Sequence, residues 1–438
     1  MPKENCSRPA MLVSAPSSGQ GKTTVTAALA RRHRLDGRRV RVFKCGPDFL
    51  DPTILEAASG AKVYQLDLWM AGEDGCRDLL WRAAREADIV VVEGVMGLFD
   101  GNPSAADLAR LFRLPVMAVV DSRAMAQTFG AVALGLASYR PDVRVCGVLA
   151  NRVAGESHAG LLRESLPAGL DWYGSLRRGP DLELPSRHLG LVQAAELSDL
   201  EDRLDRLAGE LAGEGAARVP PQVEFVPGSG PAPPRLLKNV RLAVAKDAAF
   251  SFVYQANLDL LAEMGAGISF FSPLDDDRLP QGSDALYLPG GYPELHLERL
   301  SANHGLIADI RAFHEAGRPI LAECGGLLYL LRSLARGGQS AGMVGLLPGS
   351  AVLSPGLRGL GLMSARLPEG EIRGHSFHHS ELDMDLEPLV GAVRQDGRPD
   401  RRENVYRIGG LTASYLHFYW PSNPAAAAKL FLPFSRRL

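Results

Sequence analysis

Short runs that are apolar at nearly every position alternate, along the first part of the chain, with segments of helical period. They cover residues 11–15, 39–43, 88–93, 115–120 and 145–150. A strand with no polar face has no solvent side. Helices spaced between such strands therefore predict a parallel sheet covered on both faces. The alternation resumes later over residues 240–245, 268–271, 285–288 and 319–322, with a further strand at 411–416. Between the two sets lie a charged helical segment, residues 196–213, and a stretch containing Pro220, Pro221, Pro227, Pro231, Pro233 and Pro234, too rich in proline and glycine for helix or central strand. The pattern predicts two α/β domains, residues 1–215 and 239–438, joined by a linker over 216–238.

Composition narrows the classes of partner. The 438 residues exceed what one hydrophobic core supports, and 46% hydrophobic with 22% charged residues is ordinary for a soluble globular protein. A net charge of -2, mixed in sign, lacks the electrostatic footprint of a nucleic-acid or anionic-membrane partner. No uncharged apolar run reaches membrane-spanning length. The five cysteines (Cys6, Cys45, Cys76, Cys146, Cys324) are odd in number and widely spaced, which argues against a disulfide framework or structural zinc. A cytoplasmic protein acting on small molecules is expected.

Two pieces of reaction machinery stand on this frame. After the first strand comes Ala15-Pro16-Ser17-Ser18-Gly19-Gln20-Gly21-Lys22-Thr23-Thr24, opening a helix with Val25, Ala28 and Leu29. Backbone N–H groups of such a loop, with the helix N-terminus behind them, surround phosphate oxygens. Lys22 would neutralise the β- and γ-phosphates of ATP and Thr23 would ligate Mg²⁺. Pro16 stands where the usual pattern has its first glycine, so the loop is a variant one residue longer. Carboxylates at later strand ends, Asp48, Asp51, Glu93 and Asp100, are candidates for the metal, since ligands gather beyond the carboxyl ends of parallel strands. Asn151, ending the fifth strand, is a candidate reader of the adenine edge, or a turn residue.

Late in the chain Ala322-Glu323-Cys324-Gly325-Gly326 joins a buried-type strand to an apolar helix. That junction exposes a nucleophile above a sheet and aims the Gly325 N–H at a developing oxyanion. The helix start is expected to lower the thiol pKa. Further donors are offered by Gly290 and Gly291 in Pro289-Gly290-Gly291-Tyr292-Pro293-Glu294. The base is expected to be His417, with His375, His378 and His379 as rivals. A phosphate site beside a glutaminase-type cysteine points to ATP-driven amide formation with nitrogen from glutamine.

These blocks, with Gly46-Pro47-Asp48-Phe49-Leu50-Asp51-Pro52, Glu93-Gly94-Val95-Met96-Gly97-Leu98-Phe99-Asp100-Gly101 and Gly374-His375-Ser376-Phe377-His378, occur in order across nearly the whole chain. Together they resemble the cobyrinic acid or hydrogenobyrinic acid a,c-diamide synthase family. The resemblance implies a P-loop, dethiobiotin-synthetase-like ATPase followed by a flavodoxin-like class I glutamine amidotransferase, acting on two acetate side chains of a corrin ring in cobalamin biosynthesis. By position it implies Lys22 and Thr23 at phosphate and metal, Asp48 and Glu93 as Mg²⁺ ligands, Asp51 and Asp100 near the acceptor carboxylate, Cys324 as nucleophile and His417 as its activator. The acid usual two residues after that histidine is Tyr419 here, so His417 needs another means of orientation. Phe49 stands where the family often has tyrosine.

The implied chemistry is phosphorylation of a ring carboxylate, thioester formation at Cys324, and attack by ammonia on the acyl phosphate. Free ammonia largely protonates at neutral pH, so a sheltered route between domains is expected. A homodimer is compatible with the sequence and not demanded by it. Competing readings are a cobyric acid synthase acting on other side chains of the ring, a partitioning or maturation ATPase, and a corrin-binding module with an inert glutaminase. A partitioning ATPase has no use for Cys324 or the Gly290-Gly291 turn, and the 46–52 and 93–101 blocks favour the a,c-diamide enzyme.

Overall fold

The computed structural model describes residues 4–184, 186–187, 190–191, 194–211 and 218–433. The chain divides into two compact units, the first Met1–Leu68 with Gly72–Gly230, the second Trp69–Ala71 with Pro231–Leu438. Both are α/β, as the alternation predicts.

Among the described residues of the first unit, seven strands form one parallel sheet: β1 (Cys6–Ser14), β2 (Val40–Cys45), β3 (Tyr64–Leu66), β4 (Ile89–Glu93), β5 (Val116–Asp121), β6 (Val145–Val153) and β7 (Asp171–Arg177). Their order is β3-β2-β4-β1-β5-β6-β7. The central strands are apolar throughout because helices cover both faces. Val90, Val91, Val92, Val119 and Val120 are fully buried. One face of the core gathers Met11, Val13, Val91 and Val119 against Val25 and Leu29 of α1 (Lys22–Leu35) and against Leu204 and Leu207. Since β4 and β1 are neighbours with β2 beside them, the loops following all three open at the same carboxyl edge.

Two departures occur near the predicted linker. Residues Gln222–Phe225 form a strand antiparallel to the start of β1, with Cys6 opposite Phe225 and Pro9 opposite Gln222. The prolines flank this segment instead of interrupting it, and Val223 and Phe225 are buried while Gln222 and Glu224 are exposed. The charged helix is shorter than predicted, Leu200–Glu210; the expected helix end and the 215/216 boundary fall on residues 212–217, outside the described residues.

The second unit has a five-strand parallel core in the order Gly267–Phe271, Arg241–Ala245, Ala285–Leu288, Ile320–Glu323, Leu411–Ser414. The sheet continues antiparallel through Pro399–Ile408, Val390–Arg394, Gly359–Leu367 and Gly370–His378, ending on His417–Phe418. The flavodoxin-like expectation describes the parallel part only. The longer added strands are partly exposed along their length, unlike the fully buried Ala285–Leu288 and Ile320–Glu323, so no continuous apolar run marks them. The predicted strand over 411–416 stops at Ser414, and His417 belongs to the separate final pair. Among the described residues no helix is long and apolar enough to cross a membrane.

Candidate active sites

At the carboxyl edge of the first sheet the phosphate-loop sequence turns through Gly19 (φ 77°) and Gly21 (φ 87°), left-handed conformations that favour glycine. A Cβ on Gly21 would also lie 2.2 Å from Nδ2 of Asn151. That amide donates to the Gln20 carbonyl at 2.8 Å, and the Gln20 side chain accepts the Asp121 N–H at 2.7 Å. Asn151 therefore holds the loop from within β6, two residues before its end, with the donor the sequence reading assigns to adenine. Ser17, Ser18 and Gly19 form an exposed lip, while Gln20, Gly21, Thr23 and Thr24 are half-buried and Lys22 is buried. The Lys22 ammonium donates to the Met96 carbonyl, and Met96 itself sits at φ 50° in the loop after β4. Burial pulls the Lys22 pKa down, and Glu93 opposes it.

Beneath the loop lies a dense ionic cluster. The Thr23 hydroxyl lies 2.8 Å from Glu93 and 3.1 Å from Asp51. The Lys44 ammonium donates to Glu93 at 2.7 Å and to Asp51, and lies 3.7 Å from Asp48. Burial opposes the charge on Lys44, yet Glu93, Asp51 and Asp48 together raise its pKa. Burial raises the Glu93 pKa and, with Asp51 next, pushes Asp48 up to about 7. The sequence reading missed Lys44; the available signal was a lone charge at a buried position of β2, four residues before Asp48. Asp48 also accepts the N–H groups of Leu50 and Asp51, capping the turn into the helix Asp51–Ser59. Asp100 accepts the Gly97 N–H at 2.9 Å and closes the loop after β4.

This donor set suits a hard cation. Thr23, Asp51 and Glu93 bring oxygens together, and Glu93 Oε2 is buried without a hydrogen-bond partner among the described residues. Among the described residues no three His, Cys, Asp or Glu side chains form an all-protein metal cage. Mg²⁺ commonly takes one or two carboxylates and completes its shell with water and phosphate, so the two observations agree.

In the second unit Cys324 sits at φ 47°, ψ -103°, a strained backbone for a non-glycine residue, between the strand Ile320–Glu323 and the helix Gly325–Leu330. Its N–H donates to the Ser414 carbonyl at 2.7 Å, tying the turn to the neighbouring strand. The glycines here are enforced by contact. A Cβ on Gly326 would lie 2.0 Å from the Leu288 carbonyl oxygen, one on Gly325 2.9 Å from the Gly291 nitrogen, and one on Gly290 2.2 Å from Cε1 of His417. Cys324, Gly325, Gly290, Gly291 and His417 are thus one constellation.

The expected lowering of the Cys324 pKa is not found. Burial raises it, helped by Glu294 and Glu403, against a smaller opposing effect of the Gly325 N–H. The helix that begins there has only six residues, too short a dipole to outweigh burial. Burial also drives the His417 pKa well below its ordinary value, with His375 and His378 adding to the effect. Burial thus disfavours the charged form of both groups.

Asn257, fully buried, donates to the Phe418 carbonyl at 2.8 Å and accepts the Trp420 N–H at 2.9 Å, bracketing Tyr419. Of the rival histidines, His375 stacks on His417, with centroids 4.9 Å apart and planes 20° apart. His378 pairs with Glu403 at 2.9 Å and stacks on Tyr415 at 3.7 Å. His379 lies edge-on to Phe377.

Comparison with known proteins matches both halves. Residues 11–192 fit the CobQ/CobB/MinD/ParA nucleotide binding domain, and residues 241–425 fit the CobB/CobQ-like glutamine amidotransferase domain. The chain is 60% identical to the hydrogenobyrinate a,c-diamide synthase of Pseudomonas aeruginosa, over 97% of this chain and 98% of that protein. It is 59% identical to the same enzyme of Stutzerimonas stutzeri, over 99% and 100%. The cobyrinate a,c-diamide synthase of Herminiimonas arsenicoxydans is 48% identical, over 97% and 96%.

Proposed function

This chain belongs to the hydrogenobyrinate and cobyrinate a,c-diamide synthase family, and on that premise we propose that it amidates the a and c acetate carboxylates of the corrin ring, using ATP and glutamine. The chain is an ATP-dependent, amide-forming ligase. The observation that carries the reading is the coexistence of the Lys22–Thr23–Glu93 cluster and the Cys324–His417 constellation in one chain that such synthases match end to end. We assign ATP binding to residues 1–215 and glutamine hydrolysis to residues 239–438.

A carboxylate is inert to ammonia until one oxygen becomes a leaving group, and transfer of the γ-phosphoryl of ATP to that oxygen makes it one. Lys22, on the loop cradling the phosphates, meets the charge that shifts toward the leaving oxygen. Thr23 and Glu93, with Asp48 and Asp51 beside them, would hold Mg²⁺, which when bound neutralises phosphate oxygens. Asp100, whose carboxylate accepts the Gly97 N–H in the loop after β4, is the acid we assign beside the acceptor carboxylate. In the second unit Cys324 Sγ attacks the glutamine side-chain carbonyl while His417 takes the thiol proton and returns it to the departing nitrogen, leaving a thioester that water cleaves to glutamate. Burial disfavours thiolate and imidazolium alike, which favours moving this proton as the attack proceeds.

The two more similar relatives carry the hydrogenobyrinate name, which favours a cobalt-free ring as substrate. The deciding experiment incubates the protein with ATP, Mg²⁺, glutamine and either hydrogenobyrinic or cobyrinic acid and follows the ring by mass spectrometry. Two successive one-dalton decreases are expected, faster with the cobalt-free ring. No decrease with either ring overturns the proposal, and a preference for the cobalt-bearing ring overturns its finer part.

A further inference from the structure

His417 lacks the acid that usually follows it by two residues, and the structure fills that place with aromatic surface. Tyr419 is buried, and its ring lies edge-on to Tyr254 at 5.4 Å. Tyr254 in turn brings its hydroxyl to 2.7 Å from Nδ1 of His375, and His375 stacks on His417. We propose that His375, anchored by Tyr254, is the positioning residue of the glutaminase, orienting the His417 ring by stacking in place of a carboxylate. This rests on the reading of Cys324 and His417 given above.

The backbone is built for that stack. His375 lies directly opposite His417 in the antiparallel pair of Gly370–His378 with His417–Phe418. The two strands approach so closely beside it that a Cβ on Gly374 would lie 2.1 Å from the His417 carbonyl oxygen. The His417 ring is further confined by the Gly290 turn and by Phe252, whose ring centroid is 6.2 Å away. A ring held between strand, turn and stacked neighbour has little freedom to tilt, which is the service a hydrogen-bonded acid performs elsewhere.

The substitution has a chemical consequence. Burial holds the His375 pKa at about 3, so its ring is neutral when it meets His417. A neutral ring can orient its neighbour by stacking alone.

The test measures kcat and KM for glutamine hydrolysis in His375→Ala, His375→Phe and Tyr254→Phe, with ammonium-supported amidation as the gauge of an intact ATPase unit. His375→Ala is expected to lower kcat on the order of 10²-fold with KM for glutamine within about twofold. His375→Phe keeps a ring to stack and should recover to within roughly tenfold of the unaltered protein, and Tyr254→Phe, which removes only the anchoring hydroxyl, should lose a few-fold. A kcat for His375→Ala within about threefold of the unaltered protein overturns the proposal, as does an equal loss in the alanine and phenylalanine variants. Should His375→Ala lose ammonium-supported activity as well, the phenylalanine and Tyr254 variants decide by the same limits. A Cys324→Ser protein that still uses glutamine would remove the underlying reading instead, leaving the two failures distinct.

Discussion

Replacing Gly290 by alanine tests the geometry of the nucleophile site with one added carbon. The new Cβ would lie 2.2 Å from Cε1 of His417, 3.0 Å from its Nδ1 and 3.3 Å from Cβ of Phe252. Carbon atoms settle about 3.5–4.0 Å apart, so the His417 ring must retreat by roughly 1.5 Å. The turn cannot yield easily instead. The Gly290 carbonyl accepts the Phe252 N–H at 3.0 Å, and the next residue, Gly291, packs so tightly that its own Cβ would lie 2.1 Å from the Ala249 carbonyl oxygen. Misplacing a catalytic group by about 1 Å costs on the order of 10²-fold in rate, or about 2.7 kcal/mol of barrier. Glutamine-dependent amidation should fall by about that factor, with ammonium-supported amidation in the same preparation unchanged. A variant whose glutamine hydrolysis stays within about threefold of the unaltered protein would show that the ring moves freely or that His417 is not the base.

Further outcomes follow from other contacts. Lys44→Ala leaves the buried Asp51 and Glu93 and the half-buried Asp48 without their cation and should cost about 3–5 kcal/mol; Mg²⁺ should raise the melting temperature of this variant more than that of the unaltered protein, and no rise in either refutes the cation-site reading. Asn257→Ala strands a buried carbonyl and a buried N–H, a loss of about 2–4 kcal/mol readable as a lower urea midpoint. His33 is fully buried, and burial, followed by Arg38, lowers its pKa from 6.5 to about 4. The unfolded chain therefore binds a proton below about 6.5 that the folded chain refuses until about 4, so this contribution is intact above the higher value and is lost as pH falls between the two. The loss reaches up to about 3 kcal/mol, and His33→Gln should flatten that part of the pH dependence of urea unfolding.

What the linear sequence determined is whatever neighbours along the chain decide among themselves. Apolar runs over 11–15 and 89–92 can only be covered strands, and Gly19-Gln20-Gly21-Lys22 and Cys324-Gly325-Gly326 can only be tight strand-to-helix turns, because the backbone conformations and contacts those turns need exclude a Cβ. The blocks in order were enough to place the family. Convergence was decided by the tertiary structure, because strand order and register are set by packing between segments far apart in sequence. It put Lys44 among the carboxylates, set Asp51 beside Thr23, and engaged Asn151 with the phosphate loop. It also reversed the expected direction of the Cys324 pKa shift, since burial is a property of the whole fold and outweighs a six-residue helix. The antiparallel strands that carry His375 to His417 show no continuous apolar run, and their pairing depends on the close approach at Gly374, a contact between residues more than forty positions apart.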